Sequence, residues 1–276
     1  MSDVQVFESF LDAHFRSREN ALAKPLIEAM CYSLKNGGKR FRPQVVFAAA
    51  KMLDVSFDQV VALAAAIECI HTYSLIHDDL PTMDNDDIRR GQPTNHKVYG
   101  EAKALLAGDA LLTEAFFILA QNYSQSADVG LELVRLVSEA AGTSGMVAGQ
   151  VEDIRMQSCG AASEAQLLAM LELKTGALIR VCVEGVAVVS RASTVDRSSL
   201  RHFGAQLGLA FQLADDLLDY DPAAIEKSGL PAVIGVEATK NKLQTITNDA
   251  LQALKKYGTR SADLQVLVKI NQQRDK

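Results

Sequence analysis

Val60-Val-Ala-Leu-Ala-Ala-Ala-Ile-Glu-Cys-Ile-His-Thr-Tyr-Ser-Leu-Ile-His-Asp-Asp-Leu-Pro-Thr-Met-Asp84 is apolar around nearly its whole circumference when wound as a helix, up to its acidic end. Such a segment belongs at the centre of a helical bundle. Pro81 disfavours helix at the residue before it, so Asp78 and Asp79 read as the last helical turn and Asp84 as a loop residue able to fold back beside them. Carboxylates at a helix C-terminus oppose the macrodipole, a cost that a bound cation removes.

A second acidic group lies far along the chain, in Phe211-Gln212-Leu-Ala-Asp215-Asp216-Leu-Leu-Asp219. At roughly 100° per residue, Gln212, Asp215, Asp216 and Asp219 share an arc of about 100° on one helix face, with Phe211, Leu213, Ala214, Leu217 and Leu218 opposite. Two carboxylates about 5 Å apart repel by roughly 3 kcal/mol at an effective dielectric near 20. Oxygen-only ligands suit Mg²⁺, which keeps waters and shares its coordination with substrate phosphates. Neither cysteine nor histidine stands in this group, which argues against zinc.

The same helical spacing recurs through most of the 276 residues, 48% hydrophobic and 22% charged, while alternating strand-like runs are missing. The fold class is therefore all-α, with helices expected at about 3–17, 20–35, 42–53, 57–80, 101–122, 128–157, 164–190, 195–220, 231–257 and 262–273. Ser163 and Gln166 form a capping box in front of the seventh of these. With no Gly/Ser-rich linker or repeat, residues 1–276 read as a single domain. A net charge of −6 disfavours nucleic acid and anionic membranes as partners. Cys31, Cys69, Cys159 and Cys182 lack metal-ligand spacing and read as buried thiols of a reducing compartment. The N-terminus has no basic region followed by an apolar one, and no later run reads as membrane-spanning, so a soluble cytoplasmic protein is expected.

Three basic groups stand out: Gly37-Gly38-Lys39-Arg40-Phe41-Arg42-Pro43, Arg89-Arg90-Gly91, and Lys174-Thr175 within an apolar helix. Glycines free backbone N–H groups for a phosphate, and arginine forks match its oxygens. His71 falls two turns before Asp78 on nearly the same face, with Ser74 between them. Taken singly, each group is what a solvated face or a satisfied core would also carry. Together they describe a cavity for a diphosphate ester with a hydrocarbon tail.

These motifs, in this order and spread over nearly the whole chain with Gly149-Gln150-Val-Glu-Asp153 among them, resemble the short-chain trans-isoprenyl diphosphate synthases, most closely the bacterial farnesyl diphosphate synthases or geranyltranstransferases. The resemblance implies an all-α bundle of about ten or more helices around a deep central cavity, working as a homodimer. It implies Mg²⁺-dependent head-to-tail condensation of isopentenyl diphosphate with dimethylallyl or geranyl diphosphate. Asp78, Asp84 and Asp215 would hold the metal, with Asp79, Asp216 and Asp219 in the same catalytic clusters. Arg89, Lys174, Thr175, Gln212 and Lys227 would contact the allylic diphosphate. Gly38, Lys39, Arg42, His71 and Arg90 would bind isopentenyl diphosphate. Tyr73, with Ser74 beside it, would floor the product pocket and favour a fifteen-carbon product.

One segment departs from the pattern. After Asp219 the family carries a longer basic, glycine-rich loop, whereas here Tyr220-Asp-Pro-Ala-Ala-Ile-Glu-Lys227-Ser-Gly-Leu-Pro231 is all that stands there. The loop's first lysine has no counterpart, and Lys227 matches the second. This segment leaves a lid-deficient non-catalytic subunit as one alternative, and a different product length leaves a geranyl or geranylgeranyl diphosphate synthase as another. Terpene cyclisation fits less well, because a cyclase has no use for an isopentenyl site.

Overall fold

The computed structural model of the chain describes residues 2–159, 163–222 and 229–273. Helices dominate, as the apolar periodicity requires, and the chain divides into two compact units: Met1–Phe47 with Phe57–Val134, and Ala48–Ser56 with Arg135–Lys276.

In the first unit, α1 (Asp3–Arg18) opens on a capping box in which the Ser2 hydroxyl accepts from the Gln5 amide and the Gln5 side chain accepts from the Ser2 amide. Helix α2 (Lys24–Lys35) follows, with Pro25 in its first turn, and α3 (Phe41–Met52) begins in this unit. At the centre lies α4 (Phe57–Asp78), 14 of whose 22 residues are buried, so that it is a core helix and not an amphipathic surface one. Its alanines let α6 (Glu101–Asn122) pack along it through Ala104, Ala107, Gly108, Leu111 and Ala115. One charge is buried within α4: Glu68, 3% exposed, accepts from Arg40 Nη1 at 2.7 Å. Arg40 also donates to Glu8 at 2.6 Å and to the Leu34 carbonyl at 2.7 Å.

In the second unit, α8 (Met146–Cys159), α9 (Glu164–Leu171), α10 (Ala177–Val189), α11 (Thr194–Asp219), α12 (Gly229–Ile234), α13 (Val236–Leu254) and α14 (Ala262–Gln272) follow α7 (Ala127–Ala141), which starts in the first unit. Helix α11 packs against α10 on one side and α13 on the other. The expected Ser163–Gln166 capping box is present at α9.

Several expected boundaries move. The helix read over 128–157 is two, α7 and α8, parted at Gly142 and Gly145, where Gly145 lies so close to the Ala140 carbonyl that a Cβ would sit 2.0 Å away. The helix read over 231–257 breaks at Gly235, whose φ of 87° is left-handed. Residues 88–99 hold what periodicity missed: strands β1 (Ile88–Arg89) and β2 (Gln92–Pro93), paired antiparallel, then α5 (Asn95–Tyr99). The intervening Arg90 and Gly91 have φ of 53° and 75°, as a two-residue type I′ hairpin loop requires. Cys69 and Cys182 are buried free thiols, but Cys31 is only half-buried, and the side chain of Cys159 lies outside the described residues. Burial pushes the Cys69 thiol well up.

The expectation that no run reaches membrane-spanning length is also corrected. Helices α4 and α6 both pass by length and composition; the apolar window of α4 is 78% buried within the protein, that of α6 39%. Length and hydropathy alone do not distinguish a core helix from a spanning one.

Glu68→Ala leaves the buried Arg40 guanidinium without its α4 carboxylate. A loss of about 3–5 kcal/mol is expected, read as a fall in the urea midpoint at unchanged slope.

Candidate active site

The first unit gathers one acidic and one basic group. Helix α4 stops at Asp78, and the chain then turns back: the Asp84 amide donates to the Asp78 carbonyl at 2.8 Å, which places Asp84 beside the end of α4 as the proline-based reading expected. The neighbours Asp78 and Asp79 part ways. Asp78 is half-buried, whereas Asp79 is 3% exposed and accepts from Arg89 Nε at 2.5 Å. Burial pushes the Asp79 carboxyl up, and the Arg89 guanidinium pulls it the other way. Arg89 Nη2 also donates to Asp86, a carboxylate that sequence reasoning passed over.

The hairpin aims the arginines. Because Arg89 lies in β1 and Arg90 in the I′ turn, consecutive side chains leave in different directions. Arg90 reaches back over the glycines: its Nη1 donates to the Gly37 carbonyl at 3.2 Å, and a Cβ at Gly38 would lie 2.7 Å from its Cζ. Gly38 also has φ of 97°, so it must be glycine for conformation and for space alike. The hairpin is fastened to α2 by Asn95, which donates to the Ala29 carbonyl and the Ser33 hydroxyl, and by Tyr32, which donates to the Pro93 carbonyl. Lys39 is exposed and Arg42 half-buried, while Arg40 between them faces the core. His71 is half-buried on α4; burial and then the positive charges of Arg42, Arg90, Arg89 and Arg40 hold its pKa well below the usual value, so the imidazole is neutral. These cations share the first unit with Asp78 and Asp84, and arginine forks of this kind match phosphate oxygens.

Tyr73 lies five residues before Asp78 and is 6% exposed. Burial, then the Asp78 charge, raises its phenol to about 12. Ser74 returns its hydroxyl to the His71 carbonyl.

The second unit presents Lys174 on a π-helical turn, Glu172–Gly176, inserted between α9 and α10, where a continuous α-helix was expected over 164–190. Such turns occur frequently at functional sites, and this one is clamped by glycines. A Cβ at Gly149 on α8 would lie 2.3 Å from the Lys174 amide nitrogen, and one at Gly208 on α11 would lie 2.6 Å from Gly176 Cα. Lys174 Nζ donates to Asp153 of α8 at 2.5 Å, and the Thr175 hydroxyl donates to Gln212 Oε1 at 2.8 Å. Asp153, quoted within its motif but given no role there, is thus the partner that holds Lys174.

The second acidic group divides as the first does. Asp215 is half-buried and Asp219 exposed, but Asp216 is 9% exposed and does not share their surroundings as the helical arc had implied. It accepts from Gln212 Nε2 at 2.9 Å and from the Leu230 amide at 2.8 Å, against the bare backbone of Gly229. Burial pushes its carboxyl up. Lys227 lies outside the described residues. Among the described residues no three His, Cys, Asp or Glu side chains are gathered as a ready-made metal-ligand set.

A family model described as polyprenyl synthetase matches residues 23–273. The farnesyl diphosphate synthase of Bacillus subtilis (strain 168) is 42% identical over 239 residues, covering 82% of this chain and 80% of the relative. The chloroplastic geranylgeranyl pyrophosphate synthase of Capsicum annuum is 40% identical over 253 residues, covering 85% of this chain and 67% of the relative. Among solved structures, a geranyltransferase from Legionella pneumophila superposes with a TM-score of 0.91 at 35% identity, over 98% of this chain and 94% of that one.

Gly149→Ala drives a Cβ into the backbone that carries Lys174. Differential scanning calorimetry should show a midpoint lowered by about 3–10 °C, because backbone faces backbone and no side chain can yield.

Proposed function

We propose that this chain, a prenyltransferase of the polyprenyl synthetase family to which it belongs, makes farnesyl diphosphate by condensing isopentenyl diphosphate with dimethylallyl or geranyl diphosphate. The observation that carries this reading is the arrangement within the first unit, where Asp84 folds back on Asp78, Arg89 is held by Asp79, and burial together with the charges of Arg42, Arg90, Arg89 and Arg40 keeps His71 neutral. A carboxylate turn next to several guanidinium groups suits a metal–diphosphate pair better than either component alone.

Magnesium fits the residues present. Asp78 and Asp84 in the first unit and Asp215 in the second offer oxygen donors only, which suits an ion that shares its shell with waters and phosphates. Bound there, it would stabilise charge on the leaving diphosphate. In the first unit Arg89, oriented by Asp79, and in the second Lys174, oriented by Asp153, with Thr175 and Gln212, each have the chemistry to take oxygens of an allylic diphosphate. Lys39, Arg42, Arg90 and His71 would hold isopentenyl diphosphate, the neutral imidazole serving as a hydrogen-bond donor and not as a further charge. The allylic C–O bond breaks and its electron pair leaves with diphosphate. The isopentenyl double bond supplies the pair for the new C–C bond, and the proton it then loses passes to the departed diphosphate. This accounts for the chemistry without a dedicated general base.

Tyr73, buried and un-ionised, supports a fifteen-carbon limit. A homodimer is supported by α6, whose Leu105 and Leu106 are exposed beside a groove of about 740 Å³ lined by Leu22, Pro25 and Leu26. Sedimentation should give twice the chain mass.

Purified protein with magnesium and each allylic substrate is expected to yield farnesyl diphosphate, resolved by chromatography. A chain that binds both diphosphates but elongates neither would be the non-catalytic subunit instead, and a twenty-carbon main product would make it a geranylgeranyl diphosphate synthase. Chelation should abolish turnover and magnesium restore it. Asp78→Ala and Asp215→Ala should each lower kcat by about a hundredfold or more. Tyr73→Ala should lengthen the product.

A further inference from the structure

One histidine outside the proposed substrate contacts occupies a built recess. His77 immediately precedes Asp78 on α4, and its ring lies against Gly108 of α6 so closely that a Cβ there would fall 2.1 Å from Nε2 and 2.4 Å from Cδ2. Any residue larger than glycine at that position would push the ring out. Nε2 lies 3.0 Å from the Leu105 carbonyl, an acceptor only, so Nε2 carries the proton and donates it. The ring also stands edge-on to Tyr73, with centroids 5.6 Å apart and planes at 75°. The Gly108 and Leu105 contacts both meet the ring at Nε2 from α6, and Tyr73 meets it from within α4.

We propose that His77 is a positioning residue: seated over Gly108 and tied to the Leu105 carbonyl, it fixes the last turn of α4 and braces the Tyr73 ring, and thereby helps set the length at which the product stops growing. The proposal rests on the reading of Tyr73 as the pocket floor. The recess itself follows from geometry alone. A hydrocarbon tail pressing on Tyr73 meets a ring that stands edge-on against His77, and His77 is held on the α6 side by its hydrogen bond to the Leu105 carbonyl. A brace of this kind acts on product length without touching substrate.

The test is a double-substitution cycle on the full chain with two readouts. Gly108→Ala should lower the thermal midpoint by about 3–10 °C, because the new methyl and the ring claim the same space. Combining it with His77→Ala should recover part of that loss relative to Gly108→Ala alone, since the methyl then enters the vacated recess. Losses that simply add would overturn the seat. The second readout is product length with geranyl diphosphate. Both single variants should raise the share of products longer than the wild-type main product severalfold, an effect that a general loss of stability would not produce. An unchanged distribution in both folded variants would overturn the brace. Should the wild type make no product at all, the functional reading fails on its own, and the stability cycle still decides whether His77 and Gly108 form the seat.

Discussion

A buried charge must be met by an opposite charge or by well-aimed hydrogen bonds, and this constraint organises the charged motifs of the chain. Three of the motifs have one member turned inward. Arg40 meets Glu68, Glu8 and the Leu34 carbonyl, while Lys39 stays exposed and Arg42 half-buried. Asp79 meets Arg89, and Asp78 does not share its burial. Asp216 meets Gln212 and the Leu230 amide, beside a half-buried Asp215. The inward member fixes the backbone from which its neighbour projects, so the two halves of a doubled motif do different work.

Close backbone approach supplies the second constraint. Gly149 and Gly208 let α8 and α11 come against the π turn, and that contact, with Asp153, orients Lys174. Gly38 leaves room for the Arg90 guanidinium, and Gly108 for the His77 ring. At each of these positions a methyl group would have to displace backbone or a functional side chain. At Gly149, Gly208 and Gly108 the glycine provides space more than flexibility, whereas Gly38, with its φ of 97°, provides both.

Much of the fold was legible. The apolar circumference of residues 60–77 marked α4 as central, Pro81 marked where it ends, and Ser163 with Gln166 marked the start of α9. The β1–β2 hairpin was not, because two-residue strands are too short for any period, although Arg90-Gly91 is a sequence able to take the left-handed turn. The π turn was hidden for a related reason: one added residue shifts the helical phase without changing its apolar character. Asp153 and Asp86 lacked roles because a salt bridge between helices, or across a loop, has no spacing rule.

The sequence by itself determined the all-α class, the two acidic clusters and the three basic groups, because helical periodicity and residue chemistry are local properties. Which aspartate of each pair is buried was decided only by tertiary structure. Adjacent residues on a helix point about 100° apart, and either could face inward until a neighbouring element supplies the partner. Arg89 did so for Asp79, and the Leu230 amide for Asp216. The same holds for His77, whose seat exists only because α6 brings a glycine against it.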